Sequence, residues 1–349
     1  MIHPLAWTLK KTVYELALTE GRVVGTSGHD CARRYLAAKL AECGFVPYAG
    51  DRFELPYSGR STEFCNLVGV VRGTAHRKKP VLIGAHYDSV IEAPCADDNA
   101  AAVAIALEMG RMLKRNPPER DTIIALFDAE ESPYFNGECM GSVRFYEDQM
   151  DKRGVHAALV MDLVGHDVQV PVGRLIAGKR WPIREDAGVP IPHLRNLLFV
   201  TGAESHPRMA DVCRETRRLM RLPTLYTPNK NVGDMSDHGI FRENGVPYLF
   251  LSCGRWQRYH EPTDTPDKLN YSKMARIATY AEALVRSMGE AKLTNGAPIV
   301  CDTAELEIQS LKRTFGPTLP LILHYFGVPR LQNRTDLDAF AEGLLNMGL

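Results

Sequence analysis

His86-Tyr87-Asp88-Ser89 and Ala96-Asp97-Asp98-Asn99 place an imidazole and several carboxylates at the mouths of two turns. Glu130-Glu131, Met161-Asp162 and Tyr259-His260 follow further along the chain. His86, Asp98, Asp162, His260 and one of the two glutamates make five ligand-type side chains of nitrogen and oxygen character. Most stand at or just after an apolar run. Zinc takes His nitrogen and carboxylate oxygen and can leave a position for water. The pattern therefore implies a two-metal hydrolytic site.

Each piece alone has a blander explanation. Residues two apart share a face of a strand, so His86 can bind a metal while Asp88 holds its ring or a nearby group. A lone His-x-Asp pair is otherwise structural. Asp98 opens a predicted helix, where a carboxylate is favoured as a cap in any case. That does not account for Asp97 beside it. Adjacent carboxylates such as Glu130-Glu131 repel unless a cation or a shared proton relieves them. One could ligate a metal while the other serves as general base. Asp162 lies inside Ala158-Leu159-Val160-Met161-Asp162-Leu163-Val164, a run that should be buried, and a buried carboxylate needs a partner. His260 sits in the polar loop Arg258-Tyr259-His260-Glu261-Pro262.

The elements that must position these groups alternate. Helices are predicted over Asp30–Glu42, with Asp30 as cap, and over Asn99–Lys114, Ser142–Gln149, Pro207–Met220 and Ser272–Met288. Strands are predicted over Asn66–Arg72, Pro80–His86, Asp121–Phe127, Ala157–Leu163, Leu197–Thr201 and Tyr248–Ser252. Such alternation gives an α/β fold, with a mixed, largely parallel β-sheet sandwiched between helices. The candidate ligands fall at or beyond the carboxyl ends of their strands, where open α/β sheets bind ligands. Residues 1–290 read as one catalytic domain. Residues 291–349 read as a helical extension packed on it, with helices over Leu306–Tyr325, broken at Gly316-Pro317, and Leu337–Leu349. Gly165–Pro192 is a long loop rich in Pro, Gly and Arg, and loops of that length usually carry function.

Composition narrows the class. The 349 residues are 45% hydrophobic and 24% charged, as in a soluble globular protein. Lys plus Arg and Asp plus Glu are each 42, so nothing favours nucleic acid or an anionic membrane as partner. The N-terminus shows no basic segment followed by an apolar stretch, and no run approaches the ~20 apolar residues of a membrane span. A cytoplasmic location is the expectation. Eight scattered cysteines without a CxxC pair read as free thiols, Cys95 being nearest the proposed site.

The motifs together resemble those of the zinc aminopeptidases of the M28 metallopeptidase family. They are His86-Tyr87-Asp88-Ser89, Ala96-Asp97-Asp98-Asn99, Phe127-Asp128-Ala129-Glu130-Glu131 with Gly141-Ser142, Met161-Asp162-Leu163-Val164-Gly165, Ser236-Asp237-His238, and Tyr259-His260 with Asp264-Thr265. The resemblance runs over roughly residues 20–290. It implies two zinc ions per chain, bridged by Asp98. His86 and Asp162 would complete one ion's ligands, and Glu131 and His260 the other's. By the same resemblance Glu130 is the general base, Asp88 and Asp237 are supporting acids, Tyr259 is an oxyanion donor, and the Asp98–Asn99 peptide is cis. The chain departs from the family at Ala100-Ala101-Ala102, in an insertion within Ser132–Met140, in the long loop and in the tail.

The implied function is a metal-dependent exopeptidase acting on the N-terminal bond of peptides. Alternatives are a glutaminyl cyclase-like acyltransferase, an amidohydrolase on a non-peptide amide, and a binding module on a metal-free fold. The pattern associated with cyclases has Trp and an acid where this chain has Tyr259 and Ser236, which favours hydrolysis. Arg255 and Arg258, with His166, Arg174, Arg180, Trp181 and Arg184 of the long loop, suggest a pocket reading the carboxylate of a short peptide. The blander reading is that these arginines are solvated or pair with acids such as Glu185 and Asp186.

Overall fold

β-Branched and aliphatic runs form the middle of the sheet because both of its faces are covered. In the computed structural model, which describes residues 4–168, 170–171, 188–189, 194–219 and 222–346, the strands are β1 Val46–Pro47, β2 Glu54–Gly59, β3 Thr62–Val71, β4 Val81–His86, β5 Thr122–Phe127, β6 Ala157–Met161, β7 Val170–Pro171, β8 Gly188–Val189, β9 Leu198–Thr201, β10 Thr224–Tyr226 and β11 Tyr248–Ser252. Nine of them make one sheet in the order β1-β3-β5-β4-β6-β11-β9-β10, with β2 paired to β3. The four central strands β5, β4, β6 and β11 run parallel, while β3 and β9 join them antiparallel. The mixed, largely parallel sheet between helices is thus the architecture read from the sequence.

Alternation along each strand divides the core. Ile83 and Ala85 of β4, Ile124 and Leu126 of β5, and Leu159 and Met161 of β6 face one layer. That layer is built from helices Pro4–Leu16, Ser27–Glu42, Ala101–Arg115, Met209–Leu219 and Tyr271–Glu290. Leu82, Ile123, Ala125, Phe127, Ala158 and Val160 face the other way, toward Phe145 and Phe241. Ala101–Arg115 is buried along its whole first half, from Ala101 to Gly110. Its alanines let the helix lie close on the sheet, which is the packing consequence of Ala100-Ala101-Ala102.

Several boundaries differ from expectation. The second helix begins at Ser27 rather than Asp30, because the Thr26 side chain accepts from the His29 backbone N–H and is the cap. Helix Pro4–Leu16, strand β2 with the first residues of β3, β10 and the short helix His238–Glu243 lie outside the elements read from the sequence. Ser142–Gln149 resolves into an α-turn, Gly141–Arg144, and a wider turn, Phe145–Gln149. In the tail, helices Ala304–Phe315 and Leu319–Tyr325 meet at the expected break, and Arg334–Asn346 follows. Leu306, Leu311, Leu323, Leu337 and Phe340 belong to the same buried cluster as the helical layer. No described helix is long and apolar enough to cross a membrane.

Candidate metal centre

The C-terminal ends of the parallel strands deliver the reactive side chains. His86 is the last residue of β4, Glu130 and Glu131 follow β5, Asp162 follows β6, and His260 lies on the loop beyond β11. Asp98 comes from the segment between β4 and the helix Ala101–Arg115. Its backbone, with that of Asn99, is non-helical, so Asp98 does not open the helix as expected. The Asp98–Asn99 peptide is cis.

These residues converge. His86 Nε2 lies 3.3 Å from Asp98 Oδ1 and 3.7 Å from Asp162 Oδ1. The other Asp98 oxygen, Oδ2, lies 3.2 Å from His260 Nε2, which is 3.3 Å from Glu131 Oε2. Asp98 therefore faces a different histidine with each oxygen. Glu130 Oε2 stands 3.8 Å from His86 Nε2, on the same side as Asp162. His86, Asp98, Glu130, Glu131 and Asp162 are all buried, and His260 is partly exposed.

So many buried carboxylates need either protons or cations to offset their charge. Burial pushes Glu130 well above the usual carboxylate range, with Asp162, Glu131 and Asp237 adding to it. Burial and the Asp98 charge push Glu131 up to about 8. Burial pulls His86 down, but the Glu130 charge and contacts with Asp162, Asp88 and Asp98 outweigh it and hold the ring well above its ordinary value. Burial opposes ionisation of Asp98 too, yet His260 and His86 hold it below the usual range. His260 is likewise desolvated but raised to about 9 by Asp98 and Glu131. The cluster stores protons on its glutamates and histidines where a metal's charge could replace them.

The donor set fits divalent metal. His86–Asp98–Asp162 and Asp98–Glu131–His260 each offer three ligand atoms within 4.8 Å of one another, and His86–Glu130–Glu131 does so as well. Both ring nitrogens of His86, together with Glu131 Oε1, Asp162 Oδ1 and His260 Nε2, are buried atoms that make no aligned hydrogen bond. Imidazole nitrogen and carboxylate oxygen are the ligands that zinc accepts.

Supporting contacts fix the loops. Asp88 Oδ1 is 3.3 Å from His86 Nδ1, and its two oxygens accept from the Glu130 and Glu131 backbone N–H groups at 3.1 and 3.0 Å. Asp264 accepts from the Asp97 and Asp98 N–H groups at 3.0 and 3.2 Å. Asp97 accepts from Gly165 N and pairs with His166 Nδ1, each at 2.5 Å. A Cβ at Gly165 would stand 2.7 Å from the Asp97 oxygen, and one at Gly141 2.3 Å from the Asp128 carbonyl, so both close approaches need glycine. Non-glycine residues with positive φ cluster here, at Cys95, Ala129, Leu163 and His260. Such outliers persist only where surroundings impose them, commonly at functional sites.

Asp237 is buried, and burial raises it to about 7 beside Asp88 and Asp162. The Tyr259 ring stacks on His260 with centroids 3.7 Å apart. The Arg255 guanidinium lies 4.9 Å from the Tyr259 ring centre, and Arg258 5.9 Å from that of Trp256. His166 is fully buried against Asp97 and stacked on Trp256, so it does not join a surface that reads a substrate carboxylate. Arg174, Arg180, Trp181, Arg184, Glu185 and Asp186 lie outside the described residues. Cys95 is 1% exposed and burial pushes its thiol up to about 12, so it is a packed residue rather than a reactive one.

Two residues carry supporting contacts that sequence reasoning missed. Arg22 is buried beneath the Asp98 loop. His29 Nε2 stands 2.7 Å from Asp128 Oδ1, and Asp128 in turn accepts from Cys65 N and Ala129 N. Neither residue has ligand spacing to anything.

Comparison with known proteins agrees with this geometry. The sequence model of Peptidase family M28 matches residues 66–285, more than half of the chain. An uncharacterized protein of Escherichia coli K12, YfbL, is 27% identical over 56% of this chain and 63% of its own length. The Bacillus subtilis aminopeptidase YwaD is 38% identical over 19% of this chain and 15% of its own. The chain spans less than two thirds of the length of these curated relatives. LapB of Legionella pneumophila shares the fold with a TM-score of 0.62 at 18% identity, over 82% of this chain and 72% of that one. A glutaminyl cyclase of Bacteroides thetaiotaomicron does so at 0.58 and 18%, over 80% and 97%. With the family model covering every strand-end motif from His86 to His260, this chain belongs to Peptidase family M28.

Proposed function

We propose that this chain is a zinc-dependent exopeptidase that removes the N-terminal residue of peptides and holds two zinc ions. The observation that carries this reading is Asp98, whose two oxygens face His86 at 3.3 Å and His260 at 3.2 Å. His86, Asp98 and Asp162 would hold one ion, and Asp98, Glu131 and His260 the other. When bound, zinc supplies Lewis acidity and makes water a usable nucleophile near neutral pH.

The side chains supply the rest. Burial makes the Glu130 carboxylate a stronger base than an exposed one, and with cations offsetting its charge it would be the group that takes a proton from the attacking water. The water oxygen bonds to the peptide carbonyl carbon, the carbon–nitrogen bond breaks, and Glu130 returns the proton to the leaving amine. Asp88 keeps the Glu130-Glu131 turn and His86 in register through the three contacts described. Tyr259, fixed against His260, is the candidate donor to the oxygen that gains charge. Residues 1–290 make the catalytic body in this reading, with 291–349 an extension sharing its core.

Fold likeness to glutaminyl cyclases keeps a second reading in view, cyclisation of N-terminal Gln. The chain carries Tyr259 and Ser236 where the pattern associated with cyclases has Trp and an acid, which supports hydrolysis. The test pairs zinc content with turnover of aminoacyl anilides, dipeptides and a Gln-initiated peptide. Zinc-dependent release of N-terminal residues supports the proposal. Cyclisation without hydrolysis overturns it.

A further inference from the structure

A cation lies under the acid cluster, in a part of the chain outside the family match. Arg22 is 1% exposed and precedes residues 66–285. Its guanidinium donates to backbone carbonyls: Nε to Tyr87 O at 2.7 Å, Nη1 to Pro94 O at 2.7 Å, and Nη2 to Cys95 O at 2.9 Å and Asp98 O at 3.3 Å. The Arg22 backbone N–H donates to Ser89 Oγ at 2.7 Å, and its carbonyl accepts from Ser89 N at 3.2 Å. These contacts grip one loop at both ends. Tyr87 is next to His86, and Asp98 is the residue that faces both histidines.

We propose that Arg22 is a positioning residue for the metal centre, holding the His86 and Asp98 ends of their shared loop at the separation two ions require. The inference rests on the two-zinc reading above. A guanidinium is suited to this place because its planar fork presents five donors in fixed directions. Burial lowers its pKa, with Cys95, Asp98, Asp88 and Asp264 opposing that, and a guanidinium has enough margin to remain charged there. A lysine could keep the charge but could not span four carbonyls spread from Tyr87 to Asp98. Ser89 is the second anchor, since its Oγ also donates to Ile91 O at 3.0 Å within the loop.

A fold brace and a positioning residue predict different outcomes. The test uses the full chain as wild type, Arg22→Lys and Ser89→Ala. Zinc affinity is measured by competition with a chromophoric chelator, together with kcat and KM on an aminoacyl anilide at saturating zinc and the melting midpoint without metal. Arg22→Lys is expected to weaken zinc binding by about 10–100-fold, the usual cost of losing a group that orients ligands. At full zinc occupancy it should lower kcat with little change in KM. Ser89→Ala should move affinity and kcat in the same direction by less. If Arg22→Lys lowers only the melting midpoint, Arg22 is a brace and the inference is overturned. If Arg22→Lys does not fold, Ser89→Ala decides, and unchanged zinc affinity there overturns it. Wild type that binds no zinc overturns the two-zinc reading and this inference with it, whereas normal wild-type binding matched by Arg22→Lys overturns this inference alone.

Discussion

The two histidines facing Asp98 occupy different surroundings. His86 ends a central strand, its side chain is fully buried, and Asp88, Asp98, Glu130 and Asp162 all lie within 3.8 Å of it. His260 rides on a loop with φ of 59°, and a third of its side chain is exposed. Its close partners are Asp98, Glu131 and the stacked Tyr259. One half of the centre is built into the sheet, and the other opens to solvent. A hydrolytic site needs both: a rigid side to hold the base and nucleophile, and an accessible side to admit a peptide end.

The buried half should give the largest losses. Glu130→Gln keeps the shape but removes the base, so kcat should fall by about 10²–10⁴-fold. Zinc content should be unchanged. Loss of metal instead would make Glu130 a ligand, as its approach to His86 and Glu131 allows. Asp88→Asn comes next, because it weakens the hold on both His86 and the glutamate turn. About 10–100-fold in zinc affinity or activity is expected. An Asp88→Asn enzyme with wild-type affinity and kcat would show that the turn holds itself.

The open half should reveal itself through pH. Desolvation lowers His260, but Asp98 and Glu131 outweigh it and bring the metal-free ring to about 9. Zinc must displace that proton, so affinity should climb as pH rises from 6.5 and level off near 9. The sign for the metal-free protein is opposite. The raised His260 contributes stability below pH 6.5 that is lost as pH rises through about 9. Zinc titrations across this range check the first statement and metal-free melting curves the second. Zinc affinity that is flat with pH would remove His260 from the ligands. The smallest effect belongs to Arg255 and Arg258. Alanine at either should raise KM for dipeptides by a few-fold, about 1 kcal/mol or less for exposed charge pairs, and spare an aminoacyl anilide, which lacks the carboxylate. Equal effects on both substrates would reduce these arginines to packing on Tyr259 and Trp256.

The same contrast explains what could be read in advance. His86, Glu130, Glu131 and Asp162 stand at the ends of apolar runs, so strand periodicity located them and the α/β alternation gathered them. Asp98 was recognisable from its neighbour Asp97, although the helix it was expected to open begins three residues later, at Ala101. Arg22 and His29 were invisible because their partners are backbone carbonyls and Asp128, groups far away in sequence. Sequence spacing reports on residues sharing an element, not on a side chain reaching across to another loop. His166 was misplaced for a related reason. A histidine in a basic loop reads as exposed, but its contact with Asp97 buries it. Helix Pro4–Leu16 was not read from the sequence, and its apolar residues pack against the distant helices Ala101–Arg115 and Tyr271–Glu290.

On this geometry one carboxylate, Asp98, would join two metal sites of unequal burial. Elemental analysis of zinc per chain, on wild type and Asp98→Ala purified side by side, tests it most directly. Two zinc ions are expected in wild type, and loss of both from the variant at moderate chelator concentration. A single ion in wild type, or two ions retained without Asp98, contradicts it.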